Sequence, residues 1–208
     1  MAKSKFLWLL DSGHGGVING EYQTGGKRSP EFKKPWGQLF EGEFNRGIVS
    51  RVIEKANYYG IRTVNICPEE EDISLSKRVL RANDWHEKEN CILVSVHANA
   101  GGGSGIEIFT TPGETKSDKI ATIFIEKMAE EFPEARFRMD LSDGDPDKES
   151  PFFIIRHTRM PAILIENFFM DNEEECKKYL MTKEGRDRIA DSYIKAMIHI
   201  ETRTKNLR

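Results

Sequence analysis

The chain has 208 residues, of which 38% are hydrophobic and 31% charged, with a formal net charge of -3. That length and composition suit one packed domain over residues 1–208, with its core at about 6–200, and exclude a disordered chain. A weakly acidic balance with no basic stripe excludes nucleic acid as a partner, and no window holds the roughly 18–20 apolar residues of a membrane span.

The first apolar run, Phe6–Leu10, reads as a buried strand. It is too short for the core of a signal peptide and leads straight into Asp11, so no export signal is recognisable and synthesis in the cytoplasm is expected. The strand ends in Asp11-Ser12-Gly13-His14-Gly15-Gly16, where glycines on both sides of His14 permit a sharp turn and leave the imidazole free to project. A surface loop rich in Gly, Pro and charge follows, Gly15 to Leu39, with Glu41 just beyond it. Phe44, Ile48, Val52, Ala56 and Tyr59 then fall at helical spacing, so Glu41 sits just before a helix, where a carboxylate is favoured by the unpaired amides alone.

A second strand, Ile61–Ile66, precedes a helix marked by Leu75, Val79, Ala82 and Trp85. The third, Cys91–Val96, ends in His97-Ala98-Asn99-Ala100 and three glycines, which again puts a histidine at the carboxyl end of a buried strand. Ile106–Phe109 reads as a strand, and Ile120, Ile123, Phe124 and Met128 mark a helix. Pro133 to Ser150 is an acidic, turn-rich loop without a helical stripe. Phe152–Ile155 and Ala162–Ile165 read as strands, the latter ending in Glu166, where an unpaired charge at a sheet edge would be costly and a general base is well placed. A last helix carries Ile189, Tyr193, Met197 and Ile200, with Thr182 as its cap.

Strands and helices alternate, which predicts an α/β fold: a mostly parallel, twisted sheet of about six strands with helices on both faces, and functional loops at the strands' carboxyl ends. The three cysteines, Cys67, Cys91 and Cys176, are odd in number and widely spaced, and are expected to be reduced core thiols.

A histidine in a glycine-rich turn is by itself more often a surface residue, and one at a strand end is as readily a satisfied core residue. Together with Glu41, however, His14 and His97 make up a familiar type of catalytic zinc site, two imidazoles and a carboxylate with the fourth position open to water. Glu43 is a rival for the carboxylate, and Asp11 or Asn99 could orient a ligand histidine from behind. His86, His157 and His199 have no ligand-like partners in the sequence.

Four segments, Leu10-Asp11-Ser12-Gly13-His14-Gly15-Gly16, Glu41 four residues before Asn45, Ser95-Val96-His97-Ala98-Asn99-Ala100 and Pro161-Ala162-Ile163-Leu164-Ile165-Glu166, resemble the zinc-dependent N-acetylmuramoyl-L-alanine amidases. The resemblance runs from about Phe6 to Ile200 and includes Leu75-Ser76-Lys77-Arg78-Val79, Arg81-Ala82-Asn83 and Asn172; Phe168 stands where the family commonly has glycine. It implies one Zn2+ per chain held by His14, Glu41 and His97, with Glu41 preferred over Glu43 because Asn45 opens the helix. It further implies Glu166 as general acid and base, water as nucleophile, and bacterial peptidoglycan as substrate. The expected setting is a monomeric phage or prophage endolysin without a separate wall-binding domain, reaching the wall after release or lysis and needing no activator. Competing expectations are a zinc peptidase cutting within the stem peptide and an inactive wall-binding module; a serine or cysteine hydrolase fits the sequence less well.

Overall fold

A computed structural model describes residues 4–203. Six strands form one sheet: β1 (Leu7–Ser12), β4 (Arg62–Asn65), β5 (Cys91–Asn99), β6 (Glu107–Thr110), β7 (Lys148–Glu149) and β8 (Ala162–Phe169), in the order β4-β1-β5-β8-β6-β7. All neighbours are parallel except β6 and β8, so the sheet is mostly parallel as the alternation implies. Within the loop from Gly15 to Leu39 a short antiparallel pair, β2 (Val17–Ile18) and β3 (Glu21–Tyr22), stands apart from the main sheet.

Side chains on each central strand divide between the two faces with the period of two that a strand imposes. Trp8 and Leu10, Ile92, Val94 and Val96, and Ile163 and Ile165 pack on one face, under α1 (Glu41–Tyr58), α3 (Lys116–Glu131) and α6 (Lys183–Arg203). Leu7 and Leu9, Cys91 and Leu93, and Ala162 and Leu164 pack on the other, under α2 (Leu75–His86) and α4 (Phe153–His157). By the same alternation Asp11, Ser95, His97 and Glu166 belong to the second face, one step beyond the end of its smaller core. The lighter helical cover there leaves the carboxyl ends of β5 and β8 accessible.

The sixth strand is not the one expected. Phe152–Ile155 is not extended: residues 153–157 form the short helix α4, with Phe152 and Phe153 partly exposed while Ile154 and Ile155 are buried against the sheet. A one-sided apolar run of this length satisfies one helical turn as well as a strand, and periodicity does not separate the two. The sheet's last strand is instead Lys148–Glu149, inside the segment expected to be loop. The remainder of 133–150 contains no helix.

Thr182 caps α6 as expected, its hydroxyl accepting from the Gly185 amide at 3.0 Å. Before it, α5 (Glu173–Glu175) runs into a π-helical turn at Cys176–Leu180. The three thiols are buried and unbridged, and burial pushes Cys67 and Cys176 up to about 12 and Cys91 up to about 11.

Phe168 accounts for one departure from the family pattern. Between His97↔Glu166 and Asn99↔Phe169 the register slips, so β8 carries an extra residue, and Phe168 lies in this bulge at φ +59°. That left-handed conformation is glycine's natural place in such bulges. Here a fully buried phenylalanine holds it, stacked on Tyr179 with centroids 4.1 Å apart and edge-on to Phe132. Phe168→Ala keeps the backbone strain and loses the packing, at a cost of about 3–5 kcal/mol. Phe168→Gly loses the packing but relieves about 1 kcal/mol of strain, so urea unfolding should rank the glycine variant above the alanine variant.

Asp147, just before β7, is 2% exposed; it accepts from Thr110 at 2.6 Å through one oxygen, while the other has no partner. Burial, with Asp145 and Asp118 nearby, pushes its carboxyl up to about 7 despite the Thr110 bond. The folded protein then keeps a proton that the unfolded chain releases above about pH 4, so this group's contribution to stability falls as pH rises from about 4 to about 7. Thermal melts across that window should show Asp147→Asn gaining on the parent as pH rises.

Candidate metal and catalytic site

β1, α1 and β5 deliver the three expected ligand residues to one point. One ligand atom each from His14, Glu41 and His97 lie within 4.8 Å of one another. Glu41 Oε1 is 3.2 Å from His14 Nε2 and 3.0 Å from His97 Nδ1, and the two rings meet edge-on with centroids 5.0 Å apart. Glu41 is buried at the start of α1, and its Oε2 is enclosed without a hydrogen-bond partner. Burial alone would raise the Glu41 carboxyl, but hydrogen bonds and charge from His14 and His97 outweigh it and hold Glu41 far below the usual carboxylate range. Donor spacings of 3.0 and 3.2 Å approach the about 3.3 Å that separates N and O ligands around a tetrahedral zinc. The residues present therefore fit such an ion, with one coordination position left over.

Glycines make this approach possible. A Cβ on Gly13 would lie 2.1 Å from His97 Cε1, and one on Gly42 would lie 1.8 Å from the Gly15 carbonyl oxygen. Any side chain at either place would push His97 or the His14 turn away from Glu41.

His14 itself has φ +66°, and three side chains hold its strained turn. Asn45 Nδ2 donates to the Gly13 carbonyl (3.0 Å), and Arg46 Nη1 (2.9 Å) and Arg78 Nη2 (3.2 Å) donate to the His14 carbonyl. Arg78 Nη1 also donates to Asp11 Oδ1 (2.7 Å) and the Ser12 carbonyl (2.6 Å), and its Nε to the Ile73 carbonyl (2.7 Å). Both members of the Arg78–Asp11 pair are 2% exposed, and Asp11 Oδ2 accepts from Ser95 at 2.7 Å. Burial would push Asp11 up, but Arg78 and Ser95 more than compensate and hold it below its ordinary value.

Neither Asp11 nor Asn99 orients a ligand histidine as expected: Asp11 is committed to Arg78 and Ser95, and Asn99 Nδ2 donates to Glu107. His97 is instead anchored through its backbone, its carbonyl accepting from Asn167 Nδ2 at 2.9 Å; Tyr193 in turn donates to Asn167 Oδ1 at 3.1 Å. Asn45 does not open α1, which begins at Glu41. Glu43 is exposed and accepts from the Val17 amide at 2.9 Å, away from the histidines. Arg46, Arg78 and Asn167 carry roles that the sequence did not signal, because an arginine or asparagine that bonds backbone carbonyls leaves no pattern of its own.

Glu166 lies beside His97 in the β5–β8 register. Its Oε2 is enclosed and unpartnered. No basic residue within ion-pair reach neutralises it among the described residues, and Arg159 pairs instead with Glu87. Burial pushes Glu166 up to about 7, with Glu41 and Glu107 adding to the rise and His97 and Lys27 opposing it. A cavity of about 350 Å³ opens beside His14 and His97, walled by Asp72, Ile73, Leu75 and Ile154.

The family model described as N-acetylmuramoyl-L-alanine amidase matches residues 9–199. The chain belongs to this family. Among similar proteins is the N-acetylmuramoyl-L-alanine amidase CwlM of Bacillus licheniformis, 28% identical over 170 residues that make up 82% of this chain and 59% of that protein. The endolysin of Bacillus phage SPP1 is 26% identical, over 83% of this chain and 58% of its own length. This amidase-family chain thus spans somewhat less than two thirds of either relative. The crystal structure of an N-acetylmuramoyl-L-alanine amidase from Clostridium difficile 630 shares the fold with a TM-score of 0.76 at 22% identity, covering 97% of this chain and 100% of that one.

Removing Arg78 should expose how far the site leans on it. Arg78→Met strands a buried carboxylate and should cost about 3–5 kcal/mol in urea unfolding. Adding Asp11→Asn should recover part of that loss, and additive effects of the two substitutions would show the pair to be uncoupled.

Proposed function

We propose that the protein is a zinc-dependent peptidoglycan amidase that hydrolyses the amide joining N-acetylmuramic acid to the L-alanine of the stem peptide. Membership in the amidase family supports the activity, and one observation carries the mechanism: a Glu166 carboxyl with one oxygen enclosed and unpartnered, set in register beside a His-Glu-His cluster with a buried glutamate and half-buried imidazoles. His14, Glu41 and His97 hold the ion. Bound there, zinc would supply Lewis acidity, lowering the pKa of a water and polarising the scissile carbonyl. Glu166, with its pKa near 7, takes a proton from the attacking water and returns it to the departing amine of L-alanine; near neutral pH both of its forms are accessible, as this double role requires.

No helix among the described residues is long and apolar enough to cross a membrane. The likeness to a phage endolysin supports action on the wall after release or lysis. The segment 133–150 forms no helix that could plug the cleft, so activity should need no partner protein.

Purified peptidoglycan digested with the protein should release stem peptides beginning with L-alanine, with chelation stopping release and zinc restoring it. Glu166→Gln should lower turnover by about 10²-fold to 10⁴-fold while still binding zinc. Cuts within the stem would assign a peptidase instead, and bound zinc without any release would assign a binding module.

A further inference from the structure

The row of acidic groups on the open face of the sheet does not end at Glu166. β6 runs antiparallel to β8 with Glu107 directly opposite Glu166, so the two side chains project from the same face of the sheet. His97, Glu166 and Glu107 thus form a line across three adjacent strands. Glu107 is 5% exposed, and Asn99 Nδ2 donates to its Oε2. Its Oε1 accepts from both Arg138 Nε at 2.8 Å and Lys148 Nζ at 2.7 Å.

Both cations come from the edge of the sheet: Arg138 by way of the 136–138 segment bonded to Ile106, Lys148 from β7. One carboxylate faces two positive charges, and each cation's side chain remains 32% exposed. Arg138 uses only Nε toward Glu107; its terminal Nη1 and Nη2 have no protein acceptor among the described residues. The guanidinium is steadied by the Phe169 ring, 5.4 Å away, and the Lys148 ammonium lies 5.4 Å from the Phe109 ring. The result is a pre-oriented, half-exposed fork with its donor edge unused, the geometry that binds a carboxylate in bidentate fashion.

We propose that Arg138, supported by Lys148 and held by Glu107, is a binding subsite for a free carboxylate of the substrate, namely the α-carboxylate of the second stem residue. The inference rests on the amidase reading. Strands in a sheet are about 4.8 Å apart, so the edge lies about 10 Å from the Glu166 strand, and the two side chains lean back over Glu107 toward it. That reach extends past the first stem residue to the second. The glycan side of the scissile amide is uncharged, whereas the second residue bears either a carboxylate or, in amidated walls, a carboxamide. The subsite therefore makes the protein selective for unamidated stems.

The full-length zinc-loaded protein would be given two N-acetylmuramoyl tripeptides, with lysine at the third position, that differ only in carboxylate or carboxamide at the second residue. The carboxylate form should have kcat/KM on the order of 10-fold to 100-fold higher, the difference lying in KM. Arg138→Gln should abolish the preference, bringing the ratio of kcat/KM for the two substrates to about 1, and Lys148→Gln should reduce it. Equal kcat/KM for the two substrates in the parent protein, which needs no variant to fold, would overturn the proposal, as would a preference that survives Arg138→Gln. Cleavage of neither substrate at the muramoyl-alanine bond would instead overturn the amidase reading, and this inference with it.

Discussion

The buried pair between Arg78 and Asp11 is the contact on which the site's geometry depends. An ion pair sealed from water contributes little net stability, since desolvation cancels most of its attraction. Its value here is directional. One guanidinium joins α2 to the last residues of β1, reaching Asp11, the Ser12 carbonyl and the His14 carbonyl, so the strand cannot twist at its end without breaking several bonds together. Ser95 completes the arrangement from β5. The strained His14 turn and the His97 strand are thereby referenced to a common anchor, and Glu41 enters between them from the start of α1. Strain in the backbone persists at functional sites only when the surroundings over-determine it, and the hydrogen bonds of Arg78, Arg46 and Asn45 do this for His14.

Much of this was legible in the residues. Buried strands of Val, Ile and Leu announce a parallel sheet, and the histidines and glutamate at their carboxyl ends fall where such sheets place chemistry. Phe152–Ile155 misled because four apolar residues fit either a strand or one turn of helix, and the tertiary choice was made by the surface that Ile154 and Ile155 cover. Lys148–Glu149 escaped notice because a two-residue edge strand has no periodicity to detect. The supporting residues were hidden for a different reason: Asn167, Arg46 and Arg78 act on carbonyl oxygens, which every residue possesses. Gly13 looked like a turn former, and Gly42 gave no signal; they serve to let an imidazole and a backbone pass close by.

Opposed environments set the two glutamates apart. Both are enclosed, yet Glu41 has two imidazoles against it and is driven down, while Glu166 lacks a countercharge in contact and is driven up. One is held as an anion, and the other is left easier to protonate. Burial supplies the same push on each, so the neighbours make the difference.

The three buried thiols have a consequence for where the molecule can work. None is bridged to another, and each is kept in its protonated, unreactive form by its apolar surroundings. Cohesion therefore comes from the two apolar layers alone, with no covalent staple to make or lose. A change from reducing to oxidising surroundings would therefore alter neither its connectivity nor its packing.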